Sequence, residues 1–388
     1  MATKNSIDSN NPIEISKGGT AASSFTAYAV LCGGTTGTGA LQSIASVGTS
    51  GQVLLSNGSA ALPSMQTPST STYFQELASD PSSPSIGQVW YNSTTDLYKG
   101  LKVGAGTWTA KNNLNTARFG LAGCGTSESA LSFGGVSNST VTEQWDGTNW
   151  TAKNALNTGR QYLAGCGTTT DAISFGGQIT STQSAVTERW DGTNWTAKTS
   201  MNTARLQLSG AGTAEDGLSF GGDTSVDAFS AVTELYSGTG NSWTAKTSMN
   251  TAREYLGGAG TEADALSMGG QNATPYLGTT ERYTGGGTNT WTSKTSLNTA
   301  RAQGASSGTA ENALFFGGQV SGTTPIGTTE RYSGTADTWT VVTSMNTARR
   351  ILAGSGTYTD ALSFGGGTPS VATTEQYDGL QVITFTVT

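Results

Sequence analysis

Arg118, Arg160, Arg205, Arg253, Arg301 and Arg349 recur along the chain, and Glu143, Glu188, Glu234, Glu281, Glu330 and Glu375 alternate with them. Both residue types could do chemistry. Clustered guanidinium groups bind carboxylates and phosphates, and two acids flanking a glycosidic bond suffice to hydrolyse it. Other chemistry is closed to this chain, because its 388 residues include no histidine. That removes Ser-His-Asp triads, Cys-His pairs and imidazole-based zinc, copper or iron sites. No P-loop or dinucleotide glycine fingerprint stands in a strand-to-helix setting. No metal and no cofactor is expected.

The spacing of the two columns argues against a catalytic centre. The string WTAKTSMNTAR occupies residues 195–205 and again 243–253. Looser copies run over 108–118, 150–160, 291–301 and 339–349, so the arginines step by 42, 45, 48, 48 and 48 residues. Sixteen residues after every arginine a Gly-Gly pair begins, at Gly134, Gly176, Gly221, Gly269, Gly317 and Gly365. A Glu-x-aromatic step follows each pair. Between these marks the lengths float: 8, 11, 12, 11, 12 and 9 residues separate the second glycine from the glutamate. An active centre breaks the symmetry of a repeat, whereas a residue present once per unit at constant phase belongs to the scaffold. The arginines are expected to tie strand ends together, through backbone carbonyls or the glutamates.

The elements that must position these columns are short. In the first unit FGLAGCG, ALSFGG, TVTEQWDG and NWTAKNAL are strand candidates bounded by turn residues. No stretch sustains a 3.6-residue apolar period, so an all-β fold with almost no helix is expected. A period of 40–50 residues matches four-stranded propeller blades. Cys124, Cys166, Ala211, Ala259, Ser307 and Ser355 form a column of small residues, as expected of innermost strands crowding around one axis. The first two cysteines read as small core residues; three cysteines make no disulfide framework.

A double glycine, an aromatic, a Trp several residues on and an Arg before the next unit resemble the kelch repeat. The resemblance covers about residues 86–388 and implies a β-propeller, though it says little about activity. Two closures of the ring stay open. In one, the Trp108 strand completes the sixth blade; in the other, residues 73–112 form a degenerate seventh blade.

The N-terminal region follows another pattern. NPIEISKGGTAASSFTAYAV (11–30) and GTSGQVLLSNGSAALPSMQ (48–66) resemble short modules of tailed-phage fibres, and GQVWYNSTTDLYKG looks like a hairpin frequent there. Residues 1–66 are therefore expected to be an attachment stem, and the Ser/Thr/Pro-rich stretch 67–85 a linker to a propeller at 86–388. Residues 11–66 carry few large apolar side chains, so their strands need burial between chains, and the resemblance implies a homotrimer. A disordered leader is the plainer reading.

Only 12% of residues are charged and the net charge is −7, which disfavours nucleic acid as a partner. No 18-residue apolar run and no signal peptide is seen, so no membrane insertion is expected. A virion protein made in a host cytoplasm would look like this, as would a cytosolic protein.

The units differ most in the loops after the Gly-Gly pairs. Insertions gathered on one face of a repeat protein mark its binding face. There Phe229, Pro275, Tyr276 and Ile326 are apolar or aromatic, with Asp227 and Asn272 polar, a mixture suited to sugars. The competing reading is that these loops are unconstrained and bind nothing. The expected role is a non-enzymatic phage adhesin on the exterior of the virion, in tail or capsid. Its N-terminal region would hold other virion proteins and its ring a host-surface glycan or receptor. A purely structural capsid or tail decoration, and a glycan depolymerase working with acids alone, are the alternatives.

Overall fold

The computed structural model describes residues 75–385, apart from 226–227, 273–275, 288 and 368, together with short strands at 31–32, 42–43, 53–55 and 64–66. Apart from those short strands, the expected stem lies outside the described residues, as do residues 67–74 of the expected linker. The chain forms two compact units, Met1–Leu101 with Ile383–Thr388, and Lys102–Val382.

In the first unit, Val53–Leu55 pairs antiparallel with Ser64–Gln66, within the segment 48–66. Val89–Asn92 pairs with the opening of Leu97–Lys111, Val89 opposite Gly100 and Asn92 opposite Leu97. Asp80 holds this hairpin from one side. Its carboxylate accepts from the Trp90 indole at 3.0 Å, Asn92 Nδ2 at 2.7 Å and Lys99 Nζ at 2.8 Å. Those donors, Lys99 foremost, hold its pKa down at about 2.

The second unit is a six-bladed β-propeller, all-β, and the described residues contain no helix. Blade one is the meander Ala122–Gly125, Ala130–Phe133, Thr142–Trp145 and Trp150–Lys153, matching the four segments read from the sequence. The second strand is buried at every residue, whereas only Trp150 is buried in the outermost. Neighbouring blades cover both faces of the second strand, which is why its burial is continuous rather than alternating.

The first of the two closures is the one formed. Ala353–Gly356, Asp360–Phe364 and Thr374–Phe385 are the first three strands of blade six, and the part of Leu97–Lys111 beyond Leu101 is the fourth. The seventh blade expected from residues 73–112 is not formed by the described ones among them, 75–112. Trp108 takes the place that Trp243 holds in blade three: its ring lies 5.3 Å from Tyr377, as Trp243 lies 5.3 Å from Tyr236. The ring thus closes by joining sequence positions some 270 residues apart, as Tyr377 Oη donating to Ala105 O at 3.0 Å illustrates.

Each Trp also grips the blade before it. The indole N–H donates to a threonine hydroxyl on the third strand of the preceding blade, at 3.0–3.1 Å in all six blades. In five of them the indole meets a phenylalanine of that blade edge-on, at 4.9–5.3 Å. The exception is blade five, where the preceding blade carries Met268. Two further departures accompany it. Phe315 replaces the usual serine and packs in the same cluster as Met268. Ser306 replaces the glycine that elsewhere faces the phenylalanine.

That glycine column corrects the expectation about crowding. A Cβ at Gly210 would lie 2.6 Å from Phe175 Cζ of the preceding blade. The small residues one step on face the following blade instead: Cys166 Sγ lies 3.1 Å from Thr213 O, and Ser355 Oγ donates to Thr126 O at 3.0 Å. Size is thus limited by the neighbouring blades rather than by the axis. Cys124 and Cys166 are buried free thiols, and burial raises the Cys124 pKa to about 12.

Trp108 and Trp243 are 5% and 6% exposed, so they should be equally costly to truncate. Trp108→Ala and Trp243→Ala should each destabilise the ring by about 3–5 kcal/mol in urea unfolding. A negligible loss for Trp108→Ala alone would mean that this strand does not close the ring.

Candidate functional site

The arginines lie between the last strand of one blade and the first strand of the next, and they are buried. Each points into the blade it precedes. Nη2 of Arg118, Arg160, Arg205 and Arg349 meets Glu143, Glu188, Glu234 and Glu375 at 2.9–3.2 Å. Arg253 and Arg301 pair with Glu281 and Glu330. In five blades Nη1 donates to the carbonyl of the first glycine of the Gly-Gly pair, at 2.7–3.2 Å. In blade five the guanidinium is turned, donating to Phe315 O at 2.9 Å and lying 4.6 Å over the Phe315 ring. Burial pulls the Arg160 and Arg205 pKa down to about 10, against the opposing push of the facing glutamate.

The glutamates are fully engaged. Glu143 Oε2 accepts from Asn115 N at 2.7 Å and Oε1 from Thr116 N at 3.3 Å. The same pair of bonds recurs in the other five blades. These two columns hold the connecting segments in place and present no acid or guanidinium to solvent.

The Gly-Gly pairs turn the chain at positive φ, 71° at Gly134 and 125° at Gly135, which only glycine adopts without strain. Each second glycine donates its N–H to the carbonyl of the next blade's arginine, from Gly135 to Arg160 at 2.9 Å round to Gly366 and Arg118 at 2.8 Å. The divergent loops and the arginine segments therefore emerge on one face.

On that face the predicted loop residues are held more firmly than expected. Tyr276 is half-buried; its hydroxyl accepts from Gln319 Nε2 at 2.7 Å and reaches Gly322 O at 3.5 Å, joining the loops of blades four and five. Phe229 is half-buried and bridges the backbone of Asp223. Ile326 is half-buried, with its N–H on Gly318 O at 2.9 Å. Asn272 is half-buried. Asp227 and Pro275 lie outside the described residues. Inside these loops runs a belt of paired polar groups: Gln161 with Gln178 at 2.7 Å, Gln271 with Glu254 at 2.6 Å, and Arg350 with Gln319.

Nearest the axis stands a column that sequence reasoning missed. Gly120, Tyr162, Gln207, Tyr255, Gln303 and Ile351 each follow an arginine by two residues. Their N–H groups donate to one another's carbonyls in a closed circuit around the axis, at 2.7–3.1 Å. All six have φ between 53° and 63°. Such a conformation costs a non-glycine residue about 1–3 kcal/mol, and for β-branched Ile351 it is an outlier. The six residues rim a recess of about 100 Å³ that leads toward a channel of about 140 Å³ lined by the innermost strands. Tyr162 and Tyr255 meet edge-on at 6.0 Å, and Gln207 Nε2 donates to the Tyr255 hydroxyl. Burial raises both phenol pKa values. Gln207 Oε1 and Gln303 Oε1 are buried without a partner, each at a cost of about 1–3 kcal/mol. The signal was present: a variable position between an invariant arginine and, in most units, a leucine.

On the opposite face exposed charges pair across blades. Arg189 meets Asp171 at 2.8 Å and Glu215 of the next blade at 2.7 Å, and Arg282 does the same with Asp264 and Glu311, at 2.7 Å each. Among the described residues no cluster of His, Cys, Asp or Glu could hold a metal ion. No protein-family model matches the sequence, and a search of curated proteins finds no match.

Arg253→Ala would leave Glu281 buried and unpaired. It should cost about 3–5 kcal/mol, read as a lower melting temperature, with any surface binding intact. Lost binding at unchanged stability would reverse the assignment.

Proposed function

We propose that the ring is a non-catalytic recognition module whose arginine-side face binds a glycan on a host cell surface. The observation that carries this reading is the contrast within that face. Five of its six axial positions accept backbone strain and two leave buried amide oxygens unpaired, in a ring otherwise built from near-identical units. Aromatic rings, amides and a bounded recess are the materials of sugar recognition. The glutamates, which a depolymerase would need exposed, are committed to arginines. The loops carrying Phe229, Asn272, Tyr276 and Ile326 surround the recess and are read as the outer part of the same surface, with Asp227 beside them in sequence.

The resemblance of the repeat to kelch units, and of residues 11–66 to phage-fibre modules, extends the proposal. The chain would be a virion protein on the exterior of a tail or capsid, trimerised and attached through its N-terminal region. Three weak sites on one trimer raise avidity without new contacts.

Labelled full-length protein should bind a subset of glycans on an array without releasing reducing sugar from them. Binding confined to phage particles would favour a decoration role, and sugar release abolished by one Asp or Glu substitution would make the protein an enzyme. In sedimentation the full chain should run at three chain masses; a monomer would remove the trimer.

A further inference from the structure

We infer that the axial recess takes a single neutral sugar residue end-on, with the side-chain amides of Gln207 and Gln303 bonding its hydroxyls. The inference rests on the glycan-recognition reading and specifies where on the face the sugar enters. Gln303 is 8% exposed, yet its Oε1, like that of Gln207, has no donor. Both glutamines line the recess, so a small turn of either amide brings its buried acceptor to a donor from outside the chain.

The surroundings decide which donor. The six rim residues are a glycine, two tyrosines, two glutamines and an isoleucine, all uncharged. An ammonium would lose its hydration there with no carboxylate on the rim to replace it. A carboxylate only accepts and could not satisfy Oε1. A hydroxyl donates and accepts, so it satisfies a glutamine head group in either orientation of the amide. The edge-on Tyr162–Tyr255 pair supplies apolar surface for the C–H face of a pyranose. A recess of about 100 Å³ has room for the edge of one ring but not for two linked residues, so recognition is of a chain terminus. Gly120 fits the same geometry: a Cβ there would lie 3.0 Å from the Tyr162 ring, so its lack of a side chain leaves that tyrosine its place over the rim.

The test uses the full-length protein with glucose, galactose, mannose and N-acetylglucosamine, read by saturation-transfer NMR. At least one of these should receive transfer and saturate. In the Gln207→Met/Gln303→Met double variant its affinity should fall tenfold or more, while the melting temperature rises because the two unpartnered acceptors removed cost more than the Gln207 bond to the Tyr255 hydroxyl lost with them. A purely structural pair of glutamines would give the opposite stability change. Transfer to none of the four sugars, undiminished transfer in the double variant, or a lower melting temperature with binding intact would overturn the inference. Array binding that survives in the double variant would place glycans on the outer loops, refuting this site while the wider reading stands. A wild-type protein that binds no glycan on the array would end both.

Discussion

A guanidinium buried inside each blade sets the terms for the rest of the ring. Removing such a cation from water costs several kcal/mol, recovered only when acceptors surround it. In blade one those acceptors are Glu143 on the third strand, Ser132 Oγ on the second and the carbonyl of Gly134 at its end. One side chain thus fixes the register of two strands and a turn against the segment that precedes them. The glutamate in turn holds the backbone of Asn115 and Thr116, and Asn115 Nδ2 holds the Trp150 carbonyl at 2.8 Å. Every atom in this chain of bonds has a fixed place. That is why the ten residues from Trp to Arg and the sixteen from Arg to Gly-Gly never vary, while the stretches outside it lengthen and shorten.

The departures from the repeat show how tightly the blades are coupled. Met268 stands where the other blades have phenylalanine, and the volume it leaves is shared between Phe315 and Ser306. Ser306 exchanges bonds with the backbone of Gly258, accepting from its N–H at 3.0 Å and donating to its carbonyl at 2.8 Å. Phe315 also deprives Arg301 of the serine acceptor, and the guanidinium turns to the Phe315 carbonyl and ring face instead. Ser267, in the blade with Met268, has its hydroxyl buried without a partner. A change on one strand is answered on the next blade, as expected of close-packed sheets whose interfaces have no spare volume.

Much of the fold was legible because the repeat supplied six readings of each position. The four strands, their phase and the structural place of Arg118 through Arg349 followed from spacing alone. Ring closure did not, because Trp108 finds its partners Tyr377 and Phe316 far along the chain, and a lone Trp tile reads the same whether it ends a blade or begins one. The small column was identified, but its cause was misplaced: the direction of a side chain, toward the axis or toward a neighbouring blade, is a matter of strand twist that composition does not record. Tyr276 was legible as an aromatic in a divergent loop, but not its bond to Gln319 one blade away.

The axial column was hidden for a different reason. Positive φ is read from sequence through glycine and asparagine, and here only Gly120 obeys that rule. Tyr162, Gln207, Tyr255, Gln303 and Ile351 occupy the same conformation because a closed circuit of backbone bonds imposes it on all six positions at once. The backbone would be more comfortable with glycine at each, and the two orphaned amide oxygens would be more comfortable replaced by apolar groups. Side chains that stand against both preferences are what the proposed recognition role accounts for, since real proteins break local rules chiefly at sites of function. The scaffold's regularity is what makes the exception visible: with the arginines holding every connecting segment in one register, the axial position is the place where six neighbours of four residue types meet around a single point.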